Sequence, residues 1–234
     1  MMRCIVIRPE PGASATVRAG EEHGIKVEPY PLSRIIPLPW EGPDPASVDA
    51  LLVGSGNAIR HAGEGLQAYL DKPVFAVGEA TADAARTKGL RVEMVGEGGL
   101  QGLLDGIESR PLRMLRLAGE RNVPLDLPED ISVESRVLYK AEDLPMPDAL
   151  VSVLREGAVV LLHSAGSAEH FRWECERNGL DLAHIRLAAL GPRIAEAAGE
   201  GWGEVRSAAQ PQDPMLLALA AEMCHEGEIG QRRG

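Results

Sequence analysis

Aromatic side chains are scarce: two Phe, three Trp and three Tyr make up 3% of the 234 residues. The core must therefore be assembled mainly from Leu, Val, Ile and Ala, the composition expected of parallel sheets covered by helices. Positive charge is short as well, with 24 Lys and Arg against 35 Asp and Glu and a formal net charge of -11. That balance excludes long-range attraction to nucleic acid or to an anionic membrane surface, since both require a basic face. Partners are expected to be small molecules, and an anionic one must be met by local Arg side chains or helix N-termini. The three cysteines, Cys4, Cys175 and Cys224, are odd in number, far apart and without metal-ligand spacing, which fits a reducing compartment. Six histidines show no HExxH or other metal pattern, so no metal site is expected. Neither a G-x-G-x-x-G nor a G-x-x-x-x-G-K-[ST] loop follows any apolar run, which removes the usual supports for dinucleotide and P-loop chemistry. No apolar run reaches the roughly 20 residues of a transmembrane helix, and Met1-Met2-Arg3 leads straight into a strand-like run rather than a secretory leader. The cytoplasm is the expected location.

Hydrophobic residues at 44% and charged residues at 25% match a globular protein with a packed core, and 234 residues suit two modest domains. Short apolar runs recur at Cys4-Ile5-Val6-Ile7, Ala50-Leu51-Leu52-Val53, Val74-Phe75-Ala76-Val77, Val92-Glu93-Met94-Val95, Met114-Leu115-Arg116-Leu117, Val159-Val160-Leu161-Leu162 and Leu187-Ala188-Ala189-Leu190. Most are followed by Gly, Ser or Pro and then an Ala-rich amphipathic stretch, the βα alternation of a parallel sheet. The Pro9-Glu10-Pro11-Gly12 turn after the first run leads into a helix expected near Ser14 to Glu22.

An internal repeat organises these runs. Leu51 to Ala58, Phe75 to Ala82 and Arg91 to Val95 have later counterparts in Val160 to Ala165, Ala188 to Ala195 and Gly203 to Arg206. Arg3 to Glu10 is echoed in Arg113 to Glu120, but the order of units differs between the copies. The expectation is an α/β protein of two doubly wound, flavodoxin-like parallel-sheet domains, one inserted into the other. The outer domain is placed at 1–36 and 144–234, the inserted domain at 45–138, and connecting segments at 37–44 and 139–143. Ser33 to Leu38 and Ser135 to Lys140 are placed as two crossing strands, a double link expected to act as a hinge beside a ligand cleft. The polar tail from Glu226 to Gly234 is expected to be disordered.

In open parallel sheets, ligands bind outside the carboxyl ends of the strands. Those positions hold Gly54-Ser55-Gly56-Asn57, Gly78-Glu79-Ala80-Thr81, Gly119-Glu120-Arg121, Ser164-Ala165-Gly166-Ser167 and Gly191-Pro192-Arg193. Singly, such small hydroxylated residues are helix caps; as a set they also present backbone N–H groups suited to carboxylates. Tyr139 on a crossing strand is open to two readings, packing at the hinge or donating a proton to a leaving group. His163 beside Ser164 is no hydrolase pair, for there is no G-x-S-x-G elbow and neighbours on a strand face opposite ways. Acidic clustering of the kind a phosphorylatable receiver needs is missing after the first strands.

Arg8-Pro9-Glu10, Ser55 and Asn57 in Gly-Ser-Gly-Asn-Ala, Val77-Gly78-Glu79-Ala80-Thr81-Ala82, Leu138-Tyr139 and Leu162-His163-Ser164 together resemble the uroporphyrinogen-III synthase family over nearly the whole chain. The resemblance implies a cofactor-free lyase of tetrapyrrole biosynthesis that closes hydroxymethylbilane with inversion of its last ring through a spiro intermediate. It implies that Tyr139 assists departure of the hydroxyl and that Ser55, Thr81 and Ser164 hold carboxylates. Arg8, Asn57, Gly78, Gly191 and Arg193 are implied as further substrate contacts through side chain or neighbouring amide. Gly54 stands where a Thr is common in the family, and Arg193-Ile194 replace a hydroxylated pair, so side-chain roles at those loops differ. A monomer is the default expectation, with the upstream hydroxymethylbilane synthase as a transient partner. A two-lobed small-molecule binding or sensor module without catalysis is the competing reading, and a flavodoxin-like electron carrier a weaker third.

Overall fold

A computed structural model describes residues 2–96, 99–108 and 112–231. The chain opens with β1 (Arg3–Val6), α1 (Gly12–Glu22) and β2 (Val27–Pro29), and leaves through β3 (Ser33–Pro37). It continues with β4 (Ala50–Val53), α2 (Gly56–Arg60), β5 (Val74–Val77), α3 (Glu79–Thr87), β6 (Val92–Gly96), α4 (Leu100–Asp105) and β7 (Leu112–Gly119). The long β8 (Ile131–Asp143) carries it back to α5 (Asp148–Arg155), β9 (Ala158–Leu162), α6 (Ala165–Arg177), β10 (Ile185–Ala189), α7 (Pro192–Ala198), β11 (Glu204–Ser207) and α8 (Asp213–Gln231). Two units result: unit 1 comprises Met1–Arg34 and Glu142–Gly234, and unit 2 comprises Ile35–Ala141. Unit 2 is inserted into unit 1, and β3 and β8 are the strands that cross the boundary.

Unit 1 holds a parallel sheet in the order β11-β10-β9-β1-β2. Unit 2 holds the order β3-β8-β7-β4-β5-β6, parallel from β8 to β6, with β3 on the edge where the Leu38 amide donates to the Leu138 carbonyl at 2.8 Å. The two orders coincide when β9, β10 and β11 are laid on β4, β5 and β6, and β1 and β2 on β7 and β8. The internal repeat is therefore a circular permutation of one sheet, a consequence of inserting the second copy into the first.

Each sheet is buried on both faces, as doubly wound sheets must be. In β9, Val160 and Leu162 join Ile5, Ile7 and Phe171 on one face, while Val159 and Leu161 join Cys4, Val6, Leu216 and Met223 on the other. In unit 2, Leu51, Val53, Leu115 and Leu117 pack against the α2 and α3 side, and Leu52, Phe75 and Met114 against Leu103 and Leu104 of α4. Each large aliphatic residue fully buried in this way contributes roughly 1.5–3 kcal/mol. Of the scarce aromatics, Phe171 stacks on Trp202 at 5.5 Å in the unit 1 core.

Two expectations need correction. Helix α1 begins at Gly12 rather than near Ser14, because Glu10 reaches forward to accept from the Ser14 amide at 3.1 Å and its hydroxyl at 3.0 Å. The C-terminal segment is not irregular from Glu226: α8 runs to Gln231, held in part by Arg206, which donates to Glu222 at 2.8 Å and Glu226 at 3.3 Å. Residues 232–234 of that expectation lie outside the described residues.

Candidate functional site

The strand orders fix where a ligand is expected. In each doubly wound sheet the connections diverge at one place, between β1 and β9 in unit 1 and between β7 and β4 in unit 2, and the crevice forms above the carboxyl ends there.

In unit 1, Arg8 follows β1 and His163 follows β9. The Arg8 guanidinium lies over the first turn of α1, where a Cβ on Gly12 would stand 2.4 Å from Nε, so a larger residue there would displace it. Its Nη1 donates to Asp213 Oδ2 at 3.0 Å. Asp213, in the first turn of α8, also lies 3.5 Å from His163 Nε2, and both His163 ring nitrogens lack a hydrogen-bond partner of good geometry. Burial, together with the Arg8 charge and against the pull of Asp213, pushes the His163 pKa down. The imidazole is thus neutral near pH 7, and Arg8 is the cation that holds Asp213. Burial would raise the Asp213 carboxyl, but its contacts with His163 and Arg8 outweigh that and hold it below the usual range.

Ser164 caps α6, accepting from the Ser167 amide at 3.2 Å and sharing a 2.8 Å hydroxyl contact with Ser167. Gly191 caps α7 with extended backbone and open space where a side chain would be, and Arg193 is exposed in the first turn of that helix.

In unit 2, Ser55 accepts from the Asn57 amide at 3.2 Å, and Asn57 Oδ1 accepts from Arg60 at 3.2 Å. Gly78 precedes α3 at φ 73°, a left-handed conformation that favours glycine. Its own amide already donates to Gly96 at 2.9 Å, so what this loop offers a ligand are the amides of Glu79 and Ala80, which have no intrahelical partner. Thr81 is buried, its amide donating to the Gly78 carbonyl at 3.1 Å.

Tyr139 is half-buried on β8 opposite Gly119 of β7. A Cβ at Gly119 would lie 2.6 Å from Tyr139 Cζ, so glycine lets the phenol ring lie across the end of β7. Its other neighbour is His61 at the end of α2, with ring centroids 6.4 Å apart. Burial and the adjacent Arg60 push the His61 pKa down, leaving a neutral imidazole beside a phenol. His61 also lines an open pocket of about 370 Å³ with Pro37, Leu38, Trp40 and Gly65.

The structure thus gathers Arg8 and Ser164 at the unit 1 switch point and Ser55, Asn57 and Tyr139 around that of unit 2, with Gly78, Thr81, Gly191 and Arg193 one strand further out in each sheet. Asp213, His163 and His61 were missed as neighbours of these residues; only His163 had any signal, its place at a strand end. Among the described residues no three His, Cys, Asp or Glu side chains converge as a metal site, and no helix is long and apolar enough to cross a membrane.

A family model described as uroporphyrinogen-III synthase HemD matches residues 14–218. The chain belongs to the uroporphyrinogen-III synthase family. Its fold is that of the uroporphyrinogen-III synthetase of Helicobacter pylori 26695, with a TM-score of 0.61 at 17% identity over 95% of this chain and 100% of that one. A mutant uroporphyrinogen III synthase from the extremely thermophilic bacterium Thermus thermophilus superposes with a TM-score of 0.54 at 17% identity, over 96% of this chain and 100% of that one. No curated protein sequence matches. Membership makes the chain a cyclising lyase of tetrapyrrole biosynthesis acting on a small tetrapyrrole.

Proposed function

We propose that this uroporphyrinogen-III synthase acts on hydroxymethylbilane with Tyr139 as the group beside the departing hydroxyl. The observation that carries the reading is the placement of that phenol at the carboxyl end of the unit 2 sheet, seated on Gly119 and next to a neutral imidazole. The Tyr139 hydroxyl donates to the hydroxymethyl oxygen as its C–O bond breaks, and water leaves. The resulting carbocation is attacked by the substituted carbon of the last pyrrole to form a spiro ring. Cleavage of the adjacent bond and reclosure at the other position give the inverted ring, and the proton lost from that position restores the Tyr139 phenol.

The bilane closes unaided to the symmetric isomer, so the protein's task is chiefly to hold a fold of the substrate from which spiro attack is the shorter path. The candidate donors for its carboxylates are, within unit 1, Arg8, Arg193 and the amides after Ser164 and Gly191 and, within unit 2, Ser55, Asn57 and the amides after Gly78 near Thr81. Local donors of this kind reconcile a polyanionic substrate with a chain of net charge -11. The protein works as a monomer in the cytoplasm without a cofactor, receiving the bilane from its upstream synthase.

The experiment is to supply freshly generated hydroxymethylbilane, oxidise the products and separate the type I and type III isomers. Predominant type III supports the reading. Type I alone, at the level without protein, refutes it and favours a binding module.

A further inference from the structure

Arg116 is the buried cation of unit 2. It is the fifth residue of β7, 5% exposed, and level with Leu52, one residue short of the end of β4. It lies on β7, which with β4 flanks the place where the sheet connections diverge, three residues before the carboxyl end of β7. Its strand neighbours Leu115 and Leu117 belong to the core on the opposite face, and Met114 shares its own face with Leu52, Leu103 and Leu104.

A guanidinium carries five N–H donors and stays charged. Among the described residues Arg116 makes a single hydrogen bond, from Nη1 to the Val123 carbonyl at 2.9 Å, and its buried Nε has no partner. Among the described residues no carboxylate pairs with it, and burial pushes its pKa down with no compensating charge from them. The contrast is with Arg8, which follows the equivalent strand of unit 1 and is paired with Asp213 at 3.0 Å. It is also with Arg113, three residues earlier on the same strand, which is exposed and yet held by Asp49 at 2.7 Å. An unpaired buried charge costs several kcal/mol unless a counter-ion completes it.

We infer that Arg116 is an anion-binding group of unit 2 whose counter-ion is a carboxylate of the ligand. The Nε and Nη2 atoms form one edge of the fork that meets a carboxylate with two parallel hydrogen bonds. This deepens the proposed function, on which it rests for the identity of the carboxylate as one of the tetrapyrrole's acidic side chains.

The test compares the full-length wild type with Arg116→Met and Arg116→Lys. Three quantities are read: the melting temperature without ligand, the dissociation constant for uroporphyrin III by tryptophan quenching, and KM and kcat for the bilane. The site predicts that Arg116→Met melts at or above the wild-type temperature, because an unpaired charge has been removed. It also predicts uroporphyrin III binding weakened about tenfold, a loss of about 1.4 kcal/mol, with KM raised similarly and kcat within about twofold of wild type. Arg116→Lys keeps a charge but not the planar fork, and is expected to fall between the two. A lower melting temperature with unchanged affinity overturns the proposal, since it makes the Val123 bond the whole role of Arg116. Should Arg116→Met fail to fold, wild-type affinity in Arg116→Lys together with a lowered melting temperature has the same meaning. If wild type yields only type I isomer while uroporphyrin III binding still depends on Arg116, the anion site stands and the synthase reading falls.

Discussion

Asp213 accepts from Arg8 at 3.0 Å across 205 residues of sequence, tying the first turn of the last helix to the residue that follows the first strand. Both side chains are about one-third exposed, so solvent screening limits the pair to about 1 kcal/mol. Arg8→Gln and Asp213→Asn should each lower the melting temperature by roughly 2–4 °C, the shift that 1 kcal/mol gives in a chain of this size. Together they should cost little more than either alone. Only Arg8→Gln should also raise KM for the bilane, by about fivefold, or about 1 kcal/mol. Equal KM effects in the two variants would confine Arg8 to a structural role.

His163 makes stability depend on pH. Its folded pKa lies below the ordinary imidazole value of 6.5, so the folded state binds a proton less readily than the unfolded chain. Its contribution is therefore whole above pH 6.5 and is lost as pH falls through the folded value. His61, also pushed down, acts in the same direction and window. Asp213, held below its ordinary 3.8, adds a loss only at more acid pH. Thermal melts between pH 7.5 and about 5 should show a falling melting temperature, and His163→Gln should flatten that slope in part, leaving the His61 share. An unchanged slope in His163→Gln would mean that its protonation is not linked to folding.

Much of the fold was legible because parallel strands buried on both faces read as short apolar runs with small residues after them. β4, β5, β9 and β10 are of this kind, and the permuted repeat is visible only because such runs recur with similar endings. β2 was not legible, since Val27-Glu28-Pro29 carries a charge and a proline and is held by β1 alone. Nor was α5, whose Asp148–Arg155 span follows Pro145 and Pro147 but no apolar strand-like run. Strand-end positions were legible in the sequence, but not the partners of the residues that stand there. Arg8 finds Asp213, and Tyr139 finds Gly119 and His61, through chain reversals that local pattern does not record. Arg116 stands inside the apolar run Met114-Leu115-Arg116-Leu117, and its burial is known only from the structure.

Glu174 is 1% exposed in α6 and accepts from the Met146 amide at 2.7 Å, from Arg177 at 2.7 Å and from Asn178 at 3.4 Å. It anchors the segment that leads from the long β8 into α5. Glu174→Ala leaves a buried amide unpaired and should destabilise by about 3 kcal/mol, within the range for such losses. Glu174→Gln keeps an acceptor for Met146 and should cost about 1 kcal/mol. Chemical denaturation measures both, and equal losses would mean that the charge, not the hydrogen bond to Met146, is what matters.

Gly119 offers a way to move Tyr139 without altering it. A methyl at Gly119 would meet the phenol at 2.6 Å, inside any tolerable contact, so the ring must swing away. Overpacking of this sort costs about 1–3 kcal/mol of stability, and less where a half-exposed ring can yield. Tyr139→Phe should lower kcat by about tenfold through loss of one hydrogen bond, or about 1.4 kcal/mol, while type III remains the main product. Gly119→Ala should match it, because a displaced hydroxyl is as absent from the reacting oxygen as a deleted one. The double variant should then fall no further than either single one, the signature of two changes acting on one interaction. Additive losses in kcat would separate the residues and leave Tyr139 as packing on β8.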